Sequence, residues 1–259
     1  MSNDTRRAHG RMCNHIIRNI ICSELARKHD LKFIYGYAGE TKAFGVDLFE
    51  TGTQFHKPIM YLHESNIADY LSRSEINFNL FACEEFYQGK YSANFVRSYF
   101  NRNKDRIISA NKFKERYDRN SDVFVHVRLG DVSNLNPGFA YYDEMLNVLA
   151  PYNHGYIASD SIDHPICQRL IEKHGLTPVT LDPVETIMFG STCRYHILSV
   201  GTYSWMIGVT GYYSTVFFPN YRDKESFCPY DLFDFPDWNS VDYLSETEDM
   251  SNSASMKPE

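Results

Sequence analysis

Between residues 123 and 218, short β-branched and aromatic runs alternate with helical periodicities, and this alternation restricts the possible folds more than any other feature of the chain. Strands are expected at 123–127, 156–158, 178–181, 196–200 and 216–218. Helices are expected at about 141–149, 165–174, 184–191 and 204–211. A strand that reaches its neighbour through a helix runs parallel to it, with a right-handed crossover. The expected class is therefore α/β with a parallel sheet, whose ligands bind outside the carboxyl ends of the strands.

Three of those strand ends carry polar clusters. Val123-Phe-Val-His126-Val-Arg128-Leu-Gly130-Asp131 ends the first strand with an imidazole, a guanidinium and a carboxylate. Ser159 and Asp160 end the second, and Gly201-Thr202-Tyr203-Ser204 follows the fourth and opens a helix. Parallel strands bring all three clusters to one rim. Arg128 offers a planar fork of donors for phosphate oxygens. Thr202 and Ser204, with the N–H groups of a helix start, suit the same diphosphate, and Asp160 suits a guanine edge or a ribose hydroxyl. Two plainer readings stay open: Arg128 and Asp131 pairing with each other in solvent, and Thr202 or Ser204 acting only as helix caps.

The first half of the chain is less regular. His9-Gly-Arg11-Met-Cys-Asn14-His is a polar turn, followed by an amphipathic helix from about 14 to 29 and a strand at 31–35. Residues 36–58 read as loop, 59–62 and 79–82 as short strands, and 93–113 as one helix. The polar run 112–120 places a domain boundary at 115/116, giving domains at 1–115 and 116–245 and an expected disordered tail at 246–259. A Gly-Arg turn at a helix start can hold an anion, although an ordinary loop-to-helix connection is the preferred explanation when the turn is taken alone.

Composition excludes some classes. A net charge of −7 disfavours a general nucleic-acid binder, which needs a basic surplus. No apolar run is long enough for a membrane span, and the polar start lacks the apolar segment of a signal peptide. The six cysteines form no C-x-x-C pair and no zinc spacing, so reduced, mostly buried thiols in a cytoplasmic protein are expected. The 19 Tyr and 18 Phe are expected mostly in or beside the core, with some surface rings suited to stacking on sugars.

The polar clusters resemble a known family. His126-Val-Arg128-Leu-Gly130-Asp131 resembles the first peptide motif of the α1,2-, α1,6- and O-fucosyltransferase superfamily. Ile197-Leu-Ser-Val-Gly-Thr202-Tyr203-Ser204-Trp-Met-Ile-Gly208 resembles its third motif, and Tyr156-Ile-Ala-Ser-Asp160 stands where the second belongs. Gly10-Arg11-Met-Cys-Asn14-His15 is similar to the N-terminal Gly-x-Gly-Asn-Gln turn, and Phe86-Tyr-Gln88-Gly-Lys-Tyr91 to a Tyr-Phe-Gln segment ahead of a long helix. The nearest branch is the family 11, α1,2-type enzymes. Cys13 and His15 depart from the turn pattern, and Leu129 replaces a second Arg common in that branch.

The resemblance implies a GT-B-like fold, two Rossmann-like domains facing a cleft, the N-terminal one on the acceptor side. It implies inverting transfer of L-fucose from GDP-β-L-fucose to a glycan hydroxyl, with no metal and no cofactor beyond the donor. Carried over residue by residue, Arg128 would hold the β-phosphate and stabilise departing GDP, and His126 would sit beside the pyrophosphate or shape the Arg128 pocket. Thr202, Tyr203 and Ser204 would close over the phosphates, and Asp160 would contact the guanosine. Arg11 and Asn14 would reach the donor from the other domain. Asp131 would act as general base or orient Arg128, the orienting role being preferred. Three rivals remain: a metal-dependent hydrolase built on His126, Asp131 and Asp160, a non-catalytic glycan- or nucleotide-binding protein, and a transferase for another sugar nucleotide. Oligomeric state is not readable from the sequence.

Overall fold

The computed structural model describes residues 4–6, 9–56, 58–82, 85–220 and 230–243. The expected tail at 246–259, together with Cys83 and Cys228, lies outside the described residues. The chain divides into two compact units, Met1–Lys112 and Phe113–Glu259, where the sequence suggested 115/116.

The first unit is built on α1 (Met12–His29), whose Ile16, Ile17, Ile20, Ile21, Leu25 and Ala26 are fully buried. Its polar residues His15, Arg18, Asn19 and Ser23 are buried as well and need internal partners. Asn19 donates to the Gly36 carbonyl at 2.7 Å and to Thr41 Oγ1 at 2.9 Å. Around it stand α2 (Ala38–Ala43), β1 (Ile59–Tyr61), α3 (Ile67–Ser72), β2 (Asn79–Phe81), α4 (Lys90–Arg102) and α5 (Lys104–Ala110). Strands β1 and β2 pair in parallel with Tyr61 opposite Phe81.

Three expectations for this unit are corrected. The strand at 31–35 is reduced to isolated parallel bridges, Asp4 with Ile34 and Leu31 with Thr53. The loop at 36–58 contains α2, whose only buried residue is Thr41, so no apolar stripe announces it. The single helix at 93–113 is two, because Asn103 turns its side-chain amide back to the Tyr99 carbonyl at 2.8 Å and leaves helical geometry.

The second unit is a six-stranded parallel sheet: β3 (Val123–Val127), β4 (Gly155–Ser159), β5 (Thr177–Pro178), β6 (Tyr195–Ile197), β7 (Thr215–Pro219) and β8 (Asn239–Val241). Its helices are α6 (Phe139–Leu149), α7 (Pro165–His174), α8 (Pro183–Gly190), α9 (Thr202–Val209) and α10 (Tyr230–Phe233), and a 3₁₀ turn spans Gly130–Leu135. That turn replaces part of the loop expected after Asp131, and β8 follows the strand expected to be last. All five residues of β3 are buried. Val123, Val125 and Val127 meet Tyr141, Leu146, Cys167 and Leu170 on one face. Phe124 turns to the other, within ring contact of Phe189 and so close to Gly190 that a β-carbon there would stand 2.8 Å from it.

The strand order is β5-β4-β3-β6-β7-β8. From β3 the chain first moves outward through β4 and β5, then returns to the opposite side for β6, β7 and β8. This is the doubly wound order, and its reversal point lies between β3 and β6. The thiols of Cys13, Cys22, Cys167 and Cys193 are free and buried.

Candidate functional site at the sheet reversal point

Seven of the nine residues singled out in the sequence follow or end β3, β4 and β6, beside the reversal point. Arg128 leaves β3 with its side chain 16% exposed. One guanidinium nitrogen donates to Asp160, beyond the end of β4, and another to Asp131 in the 3₁₀ turn. The second Asp160 oxygen accepts the Leu129 N–H at 3.0 Å. Gly130 lies under this carboxylate, where a β-carbon would come within 2.4 Å of Asp160 Oδ2. Asn136 closes the turn by donating to the Arg128 carbonyl at 2.8 Å. The trio of Arg128, Asp131 and Asp160 thus carries one formal negative charge, and the solvent-pairing reading of Arg128 and Asp131 is met in part: the pair exists, but a third residue from another strand shares it. Asp131 stands as an orienting partner of Arg128. Asp160, expected at a guanosine, bonds to Arg128 and to the Leu129 N–H.

His126 occupies the same face of β3 as Phe124 and is 4% exposed. Its Nδ1 lies 2.6 Å from Ser204 Oγ, and the Tyr203 ring stacks on it at 5.0 Å. Burial pushes its pKa down to about 3, with Asp160 pulling upward and Arg128 downward. The imidazole is therefore neutral across the physiological range and does not serve as a proton acceptor there. With Nδ1 on Ser204, Nε2 is its remaining hydrogen-bonding atom.

Helix α9 opens at Gly201, which has φ +95° and gives no side-chain cap. Thr202 and Ser204 are therefore not caps, and no side chain of the N-cap residue takes the first amides of this helix. Ser204 is also corrected as a ligand-closing residue: its hydroxyl is fully buried, bonded to His126 and accepting the Ser199 N–H at 3.2 Å. Tyr203 donates its hydroxyl to the Pro183 carbonyl at 2.8 Å, which leaves its ring as a wall over His126. Thr202 is half-buried at the helix start.

Arg11 and Asn14 belong to the first unit. Arg11 is the exposed N-cap residue of α1, without a side-chain cap, and Asn14 accepts a hydrogen bond from Gln88 Nε2 at 2.6 Å. Gly10, at φ +95°, lies where a β-carbon would meet the Asn14 amide at 2.5 Å, so the turn needs glycine twice over. Sequence reasoning missed Asn136 and Ser199, which brace the site through the Arg128 carbonyl and Ser204 Oγ. Their only signal was polarity just after a strand.

Among the described residues, no three His, Cys, Asp or Glu side chains converge as metal ligands, and no helix is long and apolar enough to cross a membrane. His126, Asp131 and Asp160 in particular are turned to Ser204 and Arg128. No family model, curated protein or solved structure matches the chain.

Proposed function

We propose that the second unit binds a nucleoside diphosphate sugar at the β3/β6 reversal point and that the protein transfers the sugar to a glycan hydroxyl. The observation that carries the reading is convergence: Arg128 after β3 and the uncapped start of α9 after β6 are joined through His126 and Ser204, where doubly wound sheets take nucleotides. The motif resemblance narrows the donor to GDP-β-L-fucose, the outcome to inversion and the linkage to the α1,2 type, and brings with it the GT-B arrangement and a reaction without metal.

In that reaction the acceptor oxygen bonds to C1 of fucose as the C1–O bond to the β-phosphate breaks, and GDP departs with the electron pair. The acceptor hydroxyl gives its proton to a base. Arg128 meets the charge that develops on GDP, a role for a guanidinium preorganised by Asp131 and Asp160. Its removal is expected to cost about 3–4 kcal/mol of transition-state stabilisation. The second reading, nucleotide binding without transfer, draws on one observation: both carboxylates already hold the guanidinium that the leaving group needs.

A thermal-shift comparison of GDP, UDP, ADP and CMP, followed by hydrolysis of the best sugar nucleotide, tests the proposal. GDP at about one hundred times its dissociation constant is expected to stabilise the second unit by about 2.7 kcal/mol, and Arg128→Ala to abolish that shift while the unit stays folded. A larger shift with UDP rejects the guanosine assignment. A GDP shift without turnover of GDP-fucose selects the binding-only reading.

A further inference from the structure

Strand β1 exposes large apolar side chains: Ile59, Met60 and Tyr61 are 52%, 44% and 51% exposed. Just beyond it, His63 stacks on Tyr61 with ring centroids 6.0 Å apart, and Phe81 meets the same tyrosine edge-on at 5.7 Å. His63 Nδ1 lies 2.9 Å from Glu85 Oε1, although the two residues are 22 positions apart. A carboxylate oxygen accepts, so Nδ1 donates to Glu85 and Nε2 is the ring's other hydrogen-bonding atom. No described residue takes that nitrogen, and both side chains are open to solvent, at 41% and 38%.

The dyad is built rather than incidental. Glu85 Oε2 accepts the Glu64 N–H at 2.6 Å, and Arg18 holds the Glu85 carbonyl at 2.6 Å. Asn66 accepts the His63 N–H at 2.9 Å and donates to the Tyr61 carbonyl at 3.1 Å. Glu64 accepts the Gly89 N–H at 3.0 Å, just ahead of α4. An oriented imidazole thus stands beside an exposed aromatic face, with carboxylates around it. Anionic ligands meet Glu64 and Glu85, and an added peptide strand finds only three residues of β1 to pair with. A ring with hydroxyls on its rim and C–H groups on its face satisfies both the imidazole and Tyr61.

We propose that Tyr61, His63 and Glu85 form a binding site for a neutral saccharide, His63 Nε2 accepting a sugar hydroxyl, Tyr61 covering the ring face and Glu85 positioning the imidazole. The inference asks nothing of the nucleotide reading. Its test is saturation-transfer NMR on the full chain, without nucleotide, against methyl glycosides of neutral hexoses, their disaccharides, and sialic acid as an anionic control. Neutral glycosides are expected to bind and sialic acid to be rejected. Tyr61→Ala and His63→Gln, both at exposed positions, are each expected to weaken binding about tenfold. The imidazole ¹⁵N spectrum is expected to show a bare Nε2 that moves on sugar addition, and Glu85→Ala to return the ring to a tautomer mixture and weaken binding. Failure of every neutral glycoside to bind overturns the proposal, as does binding that survives both Tyr61→Ala and His63→Gln. Sedimentation that reveals a dimer lost in Tyr61→Ala also overturns it, assigning the face to a second copy.

Discussion

Lowering the pH from about 8 to about 5 should destabilise the second unit through two histidines buried in neutral form. His126 is held at about 3 and His196 at about 4, against an ordinary 6.5. Burial is the main cause for both, and the Gly190 carbonyl, 2.9 Å from His196 Nε2, pulls the other way. Because the folded values lie below the unfolded one, the unfolded chain takes up protons first as pH falls. Stability is therefore complete above about pH 6.5, declines below it, and stops declining only once the folded imidazoles protonate. At about pH 5 each unfolded histidine is almost wholly charged while the native ring stays neutral, a loss of about 2 kcal/mol per residue and about 4 kcal/mol together. That is a large part of the about 5–15 kcal/mol typical of a domain. Both tryptophans, Trp205 and Trp238, lie in the second unit, so selectively excited tryptophan fluorescence reports on that unit. With a urea dependence of about 2 kcal/mol per molar, the midpoint should fall by about 2 M. Asp143, lowered by Lys173 and His174 against the opposing effect of burial, acts only below the ordinary carboxylate pKa and does not enter this window. His196→Gln and His126→Gln should each remove about half of the pH-linked loss, whatever they do to stability at pH 8. A midpoint that moves by less than about 0.5 M, or a loss that both variants leave intact, refutes neutral burial of these rings.

Gly130→Ala should cost about 1–3 kcal/mol by overpacking against Asp160, a carboxylate that Arg128 and the Leu129 N–H keep from swinging aside. Urea unfolding read by fluorescence checks the cost, and the GDP thermal shift should weaken in the same variant. A neutral effect on both would mean that the carboxylate is free to move. Arg116→Ala should cost about 3 kcal/mol, since it strands Asp122, 4% exposed, whose Oδ2 it binds at 2.7 Å. The same unfolding curve reports it, and a cost below about 1 kcal/mol would show Asp122 satisfied by His154 alone.

The second unit was legible because its inner strands, β3, β4, β6 and β7, are largely buried and so read as short apolar runs. Strand β8 was not: Asn239-Ser-Val241 is an exposed edge, set by pairing with Phe217, Phe218 and Pro219 rather than by local composition. Strand β5 is reduced to Thr177–Pro178, two exposed residues at the other edge of the sheet. In the first unit, Asn103 is the kind of break that a helical periodicity passes over, since its effect comes from one side-chain amide competing for a carbonyl. At the site, the positions of His126, Arg128 and Thr202 followed from strand ends. What their side chains do followed from three dimensions: Ser204 points at β3 rather than outward, and Asp160 reaches Arg128 from the neighbouring strand. The His63–Glu85 pair left no trace in the sequence, because neither residue belongs to a motif.

The paired state of Arg128 bears directly on how the nucleotide reading would work. A guanidinium alone at a strand end samples many rotamers, and ordering it on a ligand costs entropy. Here two carboxylates from separate segments hold it at the reversal point. A diphosphate must then share or displace them, and its greater charge favours the exchange at the more exposed Asp131, 54% open to solvent, over Asp160, which is also bound to the Leu129 N–H. Asp160 would remain to orient the fork while Asp131 lets go. On that reading the α9 amides would act on the same phosphates from across the reversal point, and the Ser204 hydroxyl ties that helix to His126 on β3. Arg128 and the helix start are thereby anchored to adjacent strands of one sheet, and on the nucleotide reading the two would need no movement relative to each other to meet one diphosphate.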